Sequence, residues 1–226
     1  MKKILFTNKF WLVQSVLSGK KTQTRRIATF ENIDEPNIGT EIKGKSKGRK
    51  VICNGLDIIA KSQFGIGEVV AIAQSYKDAG WNADTLQEAD IKTPTIFPDL
   101  DDCEMLCGLI DLPFKYHKGW NNKMFVRADL MPHHIKITRI KVERLQDISS
   151  DDCLREGIDR AYLGYYVNGL RTRDWEKESH VERDGKTYKL FPTPQDAFAS
   201  LIDKVCGKDT WKRNPLVFVY DFKLID

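Results

Sequence analysis

Asn214-Pro215-Leu216-Val217-Phe218-Val219-Tyr220-Asp221-Phe222 is a break followed by an almost continuous run of β-favouring residues. Such a run reads as a core strand buried along most of its length. Upstream, Thr193-Pro194-Gln195-Asp196 sets a cap, a Pro at the first helical position and an acid at the third. Phe198, Leu201, Ile202 and Val205 follow at helical spacing, so a helix is expected before the strand. Further back, Ser149 with Asp152 makes a start resembling a capping box and Gly157 a stop, which predicts a short helix with Glu156 in its last turn. Residues 135 to 145 alternate Ile135, Ile137, then Ile140, Val142, a phase slip that a β-bulge in a long, bent strand would produce. Val69-Val70-Ala71-Ile72-Ala73, entered from Gly65-Ile66-Gly67-Glu68, reads as a buried central strand. Nearest the start, Asn8 is a candidate N-cap for a helix over roughly residues 9 to 18, with Val13, Val16 and Leu17 on one face and Gly19 as its stop.

Between these segments lie about 38, 40 and 35 residues, roughly 27–64, 77–116 and 158–192, with little periodicity and far longer than a usual connection. They read as insertions on a smaller core. The 226 residues suit one large domain or a small one carrying insertions. A hydrophobic fraction of 41%, a charged fraction of 30% and 11 Phe, 7 Tyr and 5 Trp exclude a wholly disordered chain, a collagen-like repeat and a polytopic membrane protein. The net charge of +4 tolerates a nucleic-acid or phosphate partner without demanding one. Asn8, Lys9 and Gln14 interrupt the apolar start, which is too broken for a signal h-region or a membrane span. Five cysteines, Cys53, Cys103, Cys107, Cys153 and Cys206, form no close-paired framework and suggest reduced thiols in a cytoplasm.

The densest chemistry lies in Gly19-Lys20-Lys21-Thr22-Gln23-Thr24-Arg25-Arg26, with four cations and two hydroxyl groups in eight residues. It offers guanidinium forks for phosphate or carboxylate, hydroxyls that donate or accept, and backbone N–H groups released by the turn. The bland alternative is an exposed basic strand. Lys43-Gly44-Lys45-Ser46-Lys47-Gly48-Arg49-Lys50 is a second basic run, either a solvated loop tip or a phosphate contact. Cys103-x3-Cys107 with His117 lacks a second local ligand pair, so no metal is expected, and apolar filler is the better reading of the two cysteines. No P-loop, dinucleotide fingerprint or Gly-x-Ser-x-Gly elbow occurs, and no cofactor is expected. Tyr162-x2-Tyr165-Tyr166 beside Arg171 and Arg173 offers stacking faces for bases, with Trp120, Phe125 and Trp175 as further aromatics; the alternative is that these rings pin an insertion to the core.

Four ordered landmarks resemble those of the ASCH domain, in the PUA-like superfamily. They are the segment 19–26, Gly67-Glu68-Val69-Val70, Val142-Glu143-Arg144-Leu145-Gln146-Asp147-Ile148 leading to Glu156-Gly157-Ile158, and Trp211-Lys212-Arg213 running into the strand at 216–222. The likeness is greatest to bacterial and phage members with long insertions, and the three insertions match nothing in it. It implies an α+β, PUA-like bent β-barrel with flanking helices over residues 1–226, and a cleft lined by the Gly-Lys-Lys-Thr segment. RNA or a modified nucleoside is the implied partner; no membrane is implied, and the oligomeric state is left open. More distantly, Lys21, Thr24, Arg26 and Glu156 stand where the bacterial N4-acetylcytidine amidohydrolase has its Gly-x-Lys-Thr-x-Thr-x-Arg pattern and later Glu. That likeness implies Thr24 as nucleophile, Lys21 as base, Glu156 as acid and Arg26 as substrate holder. Lys20 and Arg25 are expected to supply the surrounding positive field, with Thr22 beside them as a further substrate contact. Gln74, and Met131-Pro132-His133-His134, depart from the pattern at expected substrate contacts.

On their own chemistry, the residues leave three functions open. A Thr hydroxyl needs a neutral base in hydrogen-bond reach, and Lys21 serves only where burial or a cation such as Arg25 or Arg26 lowers its pKa from ~10.4. A Glu at a helix C-terminus is pushed toward its acid form by the macrodipole, whereas a plain Lys21–Glu156 ion pair pulls both groups the other way. Hydrolysis of an acylated cytidine amide, a non-catalytic RNA-binding adaptor, and a ribonuclease that uses Lys21 and Arg26 to stabilise a charged transition state are therefore the expectations carried forward.

Overall fold

A computed structural model describes residues 1–28, 62–82, 118–172 and 178–225. In chain order it contains β1 (Lys2–Leu5), α1 (Leu12–Leu17), β2 (Gln23–Ile27), β3 (Val69–Ala73), α2 (Lys118–Asn121), β4 (His134–Arg144), α3 (Ser150–Arg155), β5 (Asp159–Ala161), β6 (Gly164–Arg171), β7 (His180–Arg183), β8 (Lys186–Phe191), α4 (Pro194–Cys206), α5 (Thr210–Arg213) and β9 (Leu216–Leu224). The fold is mixed α+β, with two sheets, one of them curled into a half-barrel. The chain divides into a larger unit, Phe6–Val70 with His133–Asp226, and a smaller one, Met1–Leu5 with Ala71–Pro132. Among the described residues no helix is long and apolar enough to cross a membrane.

In the larger unit β9 lies between β4 and β2, antiparallel to both. A central strand is covered on both faces, so its near-continuous apolar run has a direct cause: Val217, Phe218, Val219, Tyr220 and Phe222 are all buried. Asn214 enters it with φ 46°, a conformation Asn tolerates better than most residues, and its Oδ1 accepts a hydrogen bond from the Gln146 amide at 2.8 Å. The β4–β9 register shifts between Ile137 and Arg139, where the apolar phase of the sequence slips.

Caps account for the helices. Ser149 Oγ accepts from the Asp152 amide at 3.1 Å and starts α3; Thr193 Oγ1 accepts from the Asp196 amide at 3.1 Å, with Pro194 in the first turn of α4. Helix α4 buries Phe198, Leu201 and Ile202, but Val205 is 42% exposed, so the apolar face stops a turn earlier than its spacing predicts. Helix α1 is shorter than the expected 9–18. The Asn8 carbonyl, not its side chain, accepts from the Trp11 amide at 3.1 Å, closing a turn that places Trp11 at the cap position with φ 55°.

The expected insertion at 158–192 contains a four-stranded antiparallel sheet in the order β5-β6-β8-β7. Its periodicity is hidden in the sequence because the β6–β8 register shifts between Tyr166 and Arg171. Within that irregular stretch Gly169 has φ 81°, and a Cβ there would stand 2.1 Å from the Lys9 carbonyl oxygen. Only glycine allows the strand to approach the turn before α1 so closely.

The smaller unit has its own core of Ala71, Ala73, Tyr76, Val126 and Met131, flanked by Trp81 and Trp120. Trp81 Nε1 donates to the Leu130 carbonyl at 2.8 Å and the Tyr76 hydroxyl accepts from the Arg127 amide at 3.0 Å, so both large rings have their polar atoms partnered. Trp120 is thus a packing residue. The basic run 43–50, Cys53, Cys103, Cys107, His117, Arg173 and Trp175 lie outside the described residues.

Candidate functional site

Strand geometry sorts the basic segment into two sets. Side chains alternate along an extended chain, and Lys21, Gln23 and Arg25 reach carboxylates at the C-cap of α3, on β9 and on β4. Lys21 is 2% exposed and Glu156 4%. Lys21 Nζ donates to Glu156 Oε2 at 2.5 Å, to the Glu156 carbonyl at 2.8 Å and to the Gln23 carbonyl at 2.8 Å, which uses all three hydrogens of an ammonium. The local sequence dictates this closeness: at Gly157, φ is 101°, and a Cβ there would lie 3.8 Å from Lys21 Cδ and 3.5 Å from Leu12 Cδ2. The end of α3 therefore rests on the Lys21 stem and on α1. Burial lowers the Lys21 pKa from its ordinary value; the Glu156 carboxylate opposes this, and Arg26 and Arg25 add to it.

Arg25 spends its whole guanidinium inside the protein. Nε and Nη2 donate to Glu143 Oε1 at 3.0 and 2.6 Å, Nη1 to Gln23 Oε1 at 2.6 Å and Glu156 Oε1 at 3.0 Å, and Nη2 to Asp152 Oδ2 at 3.3 Å. Those are all five N–H groups of an arginine, so every donor of Arg25, expected as a substrate contact, is engaged within the protein. Burial alone would lower its pKa, but Glu156 and Glu143 outweigh that and raise it. Gln23 Nε2 donates to Asp221 at 2.7 Å and Asp152 at 3.1 Å, Lys141 pairs with Glu143 at 2.7 Å and with Asp152 at 3.4 Å, and Arg155 pairs with Asp152 at 3.3 Å and Asp221 at 3.0 Å. Four carboxylates, Glu143, Asp152, Glu156 and Asp221, thus alternate with the cations Lys21, Arg25, Lys141 and Arg155. Burial works against the Asp152 anion, yet Lys141 and Arg25 hold its pKa below the usual carboxylate value.

None of Gln23, Lys141, Glu143, Asp152, Arg155 or Asp221 was singled out in the sequence for this network. Asp221 carried the one readable signal, a lone acid inside an apolar strand.

The second set lies beside this network. Arg26 pairs in register with Phe218 and Thr24 with Tyr220. Arg26 Cζ stands 5.9 Å from the centre of the Phe6 ring and Lys21 Nζ 5.8 Å from it, so one aromatic ring carries both cations. Burial lowers the Arg26 pKa and Glu156 opposes it, an electrostatic link between the two residues. Thr24 is buried, and among the described residues its hydroxyl takes part in no hydrogen bond of the network. Thr22 Oγ1 accepts from Arg155 Nε at 3.2 Å, and Lys20 pairs with Asp159.

The structure therefore brings Lys21 and Glu156 into contact, sets Arg26 over the same ring as Lys21, and ties Arg25, Thr22 and Lys20 to protein partners. Of the tyrosines, Tyr166 is buried against Tyr188, with ring centres 5.5 Å apart, while Tyr162 is 99% exposed.

Cys153, in α3 between Asp152 and Glu156, is fully buried, and burial pushes its thiol up to about 12. Alkylation at pH 8 followed by peptide-resolved mass spectrometry is expected to leave Cys153 unmodified in the folded protein while modifying the exposed Cys206. Equal labelling of the two under native conditions would contradict the packing of α3.

No protein-family model, no curated protein and no solved structure matches this chain.

Proposed function

We propose that the chain binds a nucleobase-containing ligand beside Lys21, Thr24, Arg26 and Glu156 and hydrolyses an acylated cytidine amide, in a domain of the ASCH type whose curled half-barrel belongs to a PUA-like barrel. The observation that carries this reading is the 2.5 Å contact between Lys21 and Glu156, both buried. Burial lowers the Lys21 pKa, and a proton passing from Nζ to Oε2 would leave a neutral amine and a carboxylic acid without moving a heavy atom. Those are the base and the acid that amide hydrolysis needs.

In the proposed sequence Thr24 Oγ1 attacks the acyl carbon and its proton passes to Lys21. Glu156 then protonates the departing exocyclic nitrogen as the C–N bond breaks. Water attacks the resulting Thr24 ester, releasing acetate and restoring the hydroxyl, while Arg26 holds the substrate.

A second reading, binding without chemistry, is favoured by a different observation: three acceptors surround Lys21 Nζ, which suits the charged ammonium. The two readings differ in salt response. An amidohydrolase releases acetate and cytidine from free acetylcytidine at a rate that changes little between low and moderate salt, because the substrate carries no phosphate. A binding module or nuclease acts on RNA alone, with affinity that falls steeply as salt rises. Absence of acetate release from the folded protein, alongside salt-steep RNA binding, would replace the first reading by the second.

A further inference from the structure

We propose that a single-stranded nucleic acid docks on a surface of the larger unit built from Trp11 and the β7–β8 hairpin, with Trp11 as a base-stacking platform and Lys9, Arg183 and Lys186 as phosphate contacts. This inference is independent of the hydrolytic reading and rests on separate residues. Trp11 is held at φ 55°, a strained conformation for a bulky residue, yet it is 46% exposed rather than packed. The strain therefore holds close to half of a large aromatic surface in solvent. Lys186 Nζ lies 5.2 Å from the centre of the Trp11 ring, so a cation is already set against the indole.

The hairpin adds a second, independent oddity. Arg183 and Lys186 are directly paired across β7 and β8, a juxtaposition of like charges that destabilises a sheet by itself. Lys20 feels Arg183 as well: burial first, then the neighbouring guanidinium, lowers its pKa. Lys9 is two residues from Trp11, and its carbonyl is the one that closes on Gly169 of β6, which ties this corner to the same sheet. Among the described residues no carboxylate forms an ion pair with Lys9, Arg183 or Lys186. The balanced network around Arg25 shows that this chain pairs its cations with carboxylates where charge is structural. A part-exposed indole with Lys186 against its ring, Arg183 paired beside Lys186 and Lys9 over the adjacent Phe10 ring matches the two things every single strand presents, a π-face and a phosphate. Lys20 joins the patch to Lys21, so a bound strand would run past the candidate site.

The test titrates the full chain into a fluorescein-labelled oligouridine of about ten nucleotides and reads anisotropy between about 50 and 300 mM salt. Trp11→Gly is the informative variant because glycine accepts φ 55° without strain. It is expected to weaken the oligonucleotide at least about fivefold, the loss of one stacked base, in a chain whose cooperative thermal unfolding shows it folded. Arg183→Glu combined with Lys186→Glu, on an exposed hairpin end, is expected to make the slope of log K against log salt shallower by about 1.4, two contacts at about 0.7 each. The proposal is overturned if the wild-type chain does not bind at low salt, if both variants bind like wild type, or if duplex RNA of equal length binds as tightly as the single strand.

Discussion

Arg25→Met is expected to destabilise the protein by about 3–5 kcal/mol, lowering the thermal midpoint by on the order of 10 °C. The physical reason is what remains behind. Glu143 Oε1 loses two hydrogen bonds, Glu156 Oε1 loses its partner, and Gln23 Oε1 loses its donor, all in a buried setting. Lys141 still pairs with Glu143, and Lys21 still pairs with Glu156, which keeps the loss finite. Arg25→Lys is expected to recover only part of the stability, since three ammonium hydrogens cannot serve acceptors on Gln23, Glu143, Asp152 and Glu156 arranged for a planar fork. Removing a carboxylate together with the guanidinium, as in Arg25→Met with Glu143→Leu, is expected to cost less than Arg25→Met alone, because one unpaired buried charge is no longer created. Thermal or urea unfolding of the three variants checks the order. Equal stability of wild type and Arg25→Met would contradict the network.

The second large effect is on chemistry. Glu156→Gln retains the shape of the side chain and an oxygen to face Lys21, but cannot give a proton; Lys21→Ala removes the base and leaves Glu156 with Arg25 alone. Each is expected to lower acetylcytidine turnover by about 10²–10⁴-fold, the usual worth of a positioned general acid or base. The losses are not expected to multiply. Because one proton shared between Lys21 and Glu156 creates both the base and the acid, removing either partner removes both functions, and the double variant should be about as slow as the worse single variant. Thr24→Ala is expected to match them, with Thr24→Ser retaining part of the rate.

Much of the framework was legible because it depends on local chemistry. The Ser149 and Thr193 caps, the Pro194 start, the bulge in 135–145 and the core strand at 216–222 all follow from rules that act within a few residues. What escaped the sequence is non-local. The sheet of β5 to β8 is hidden by the glycine and register shift in β6, and the carboxylate partners of Arg25 come from two other elements, β4 and α3 with its C-cap, that only the folded chain assembles. The Lys21–Glu156 contact joins residues 135 apart in sequence, a closeness that only the folded chain supplies. Arg25, read as part of a positive field around a substrate, turned out to be neutralised by carboxylates more than one hundred residues away in sequence. Composition and spacing carry no information about such pairing. Trp11 shows the same limit from the other side: a cap at Asn8 is the natural local reading, and the close approach of Gly169 to Lys9 is what the sequence does not display.

Hydrolysis at Lys21 and Glu156 is tested by release of acetate and cytidine from acetylcytidine by wild type, Lys21→Ala and Glu156→Gln, with folding of each checked by circular dichroism and thermal midpoint. Turnover by wild type and its loss in both folded variants are the expected results. Turnover that survives in both, or none in a well-folded wild type, would contradict hydrolysis at this site and leave the Lys21–Glu156 pair as part of the scaffold.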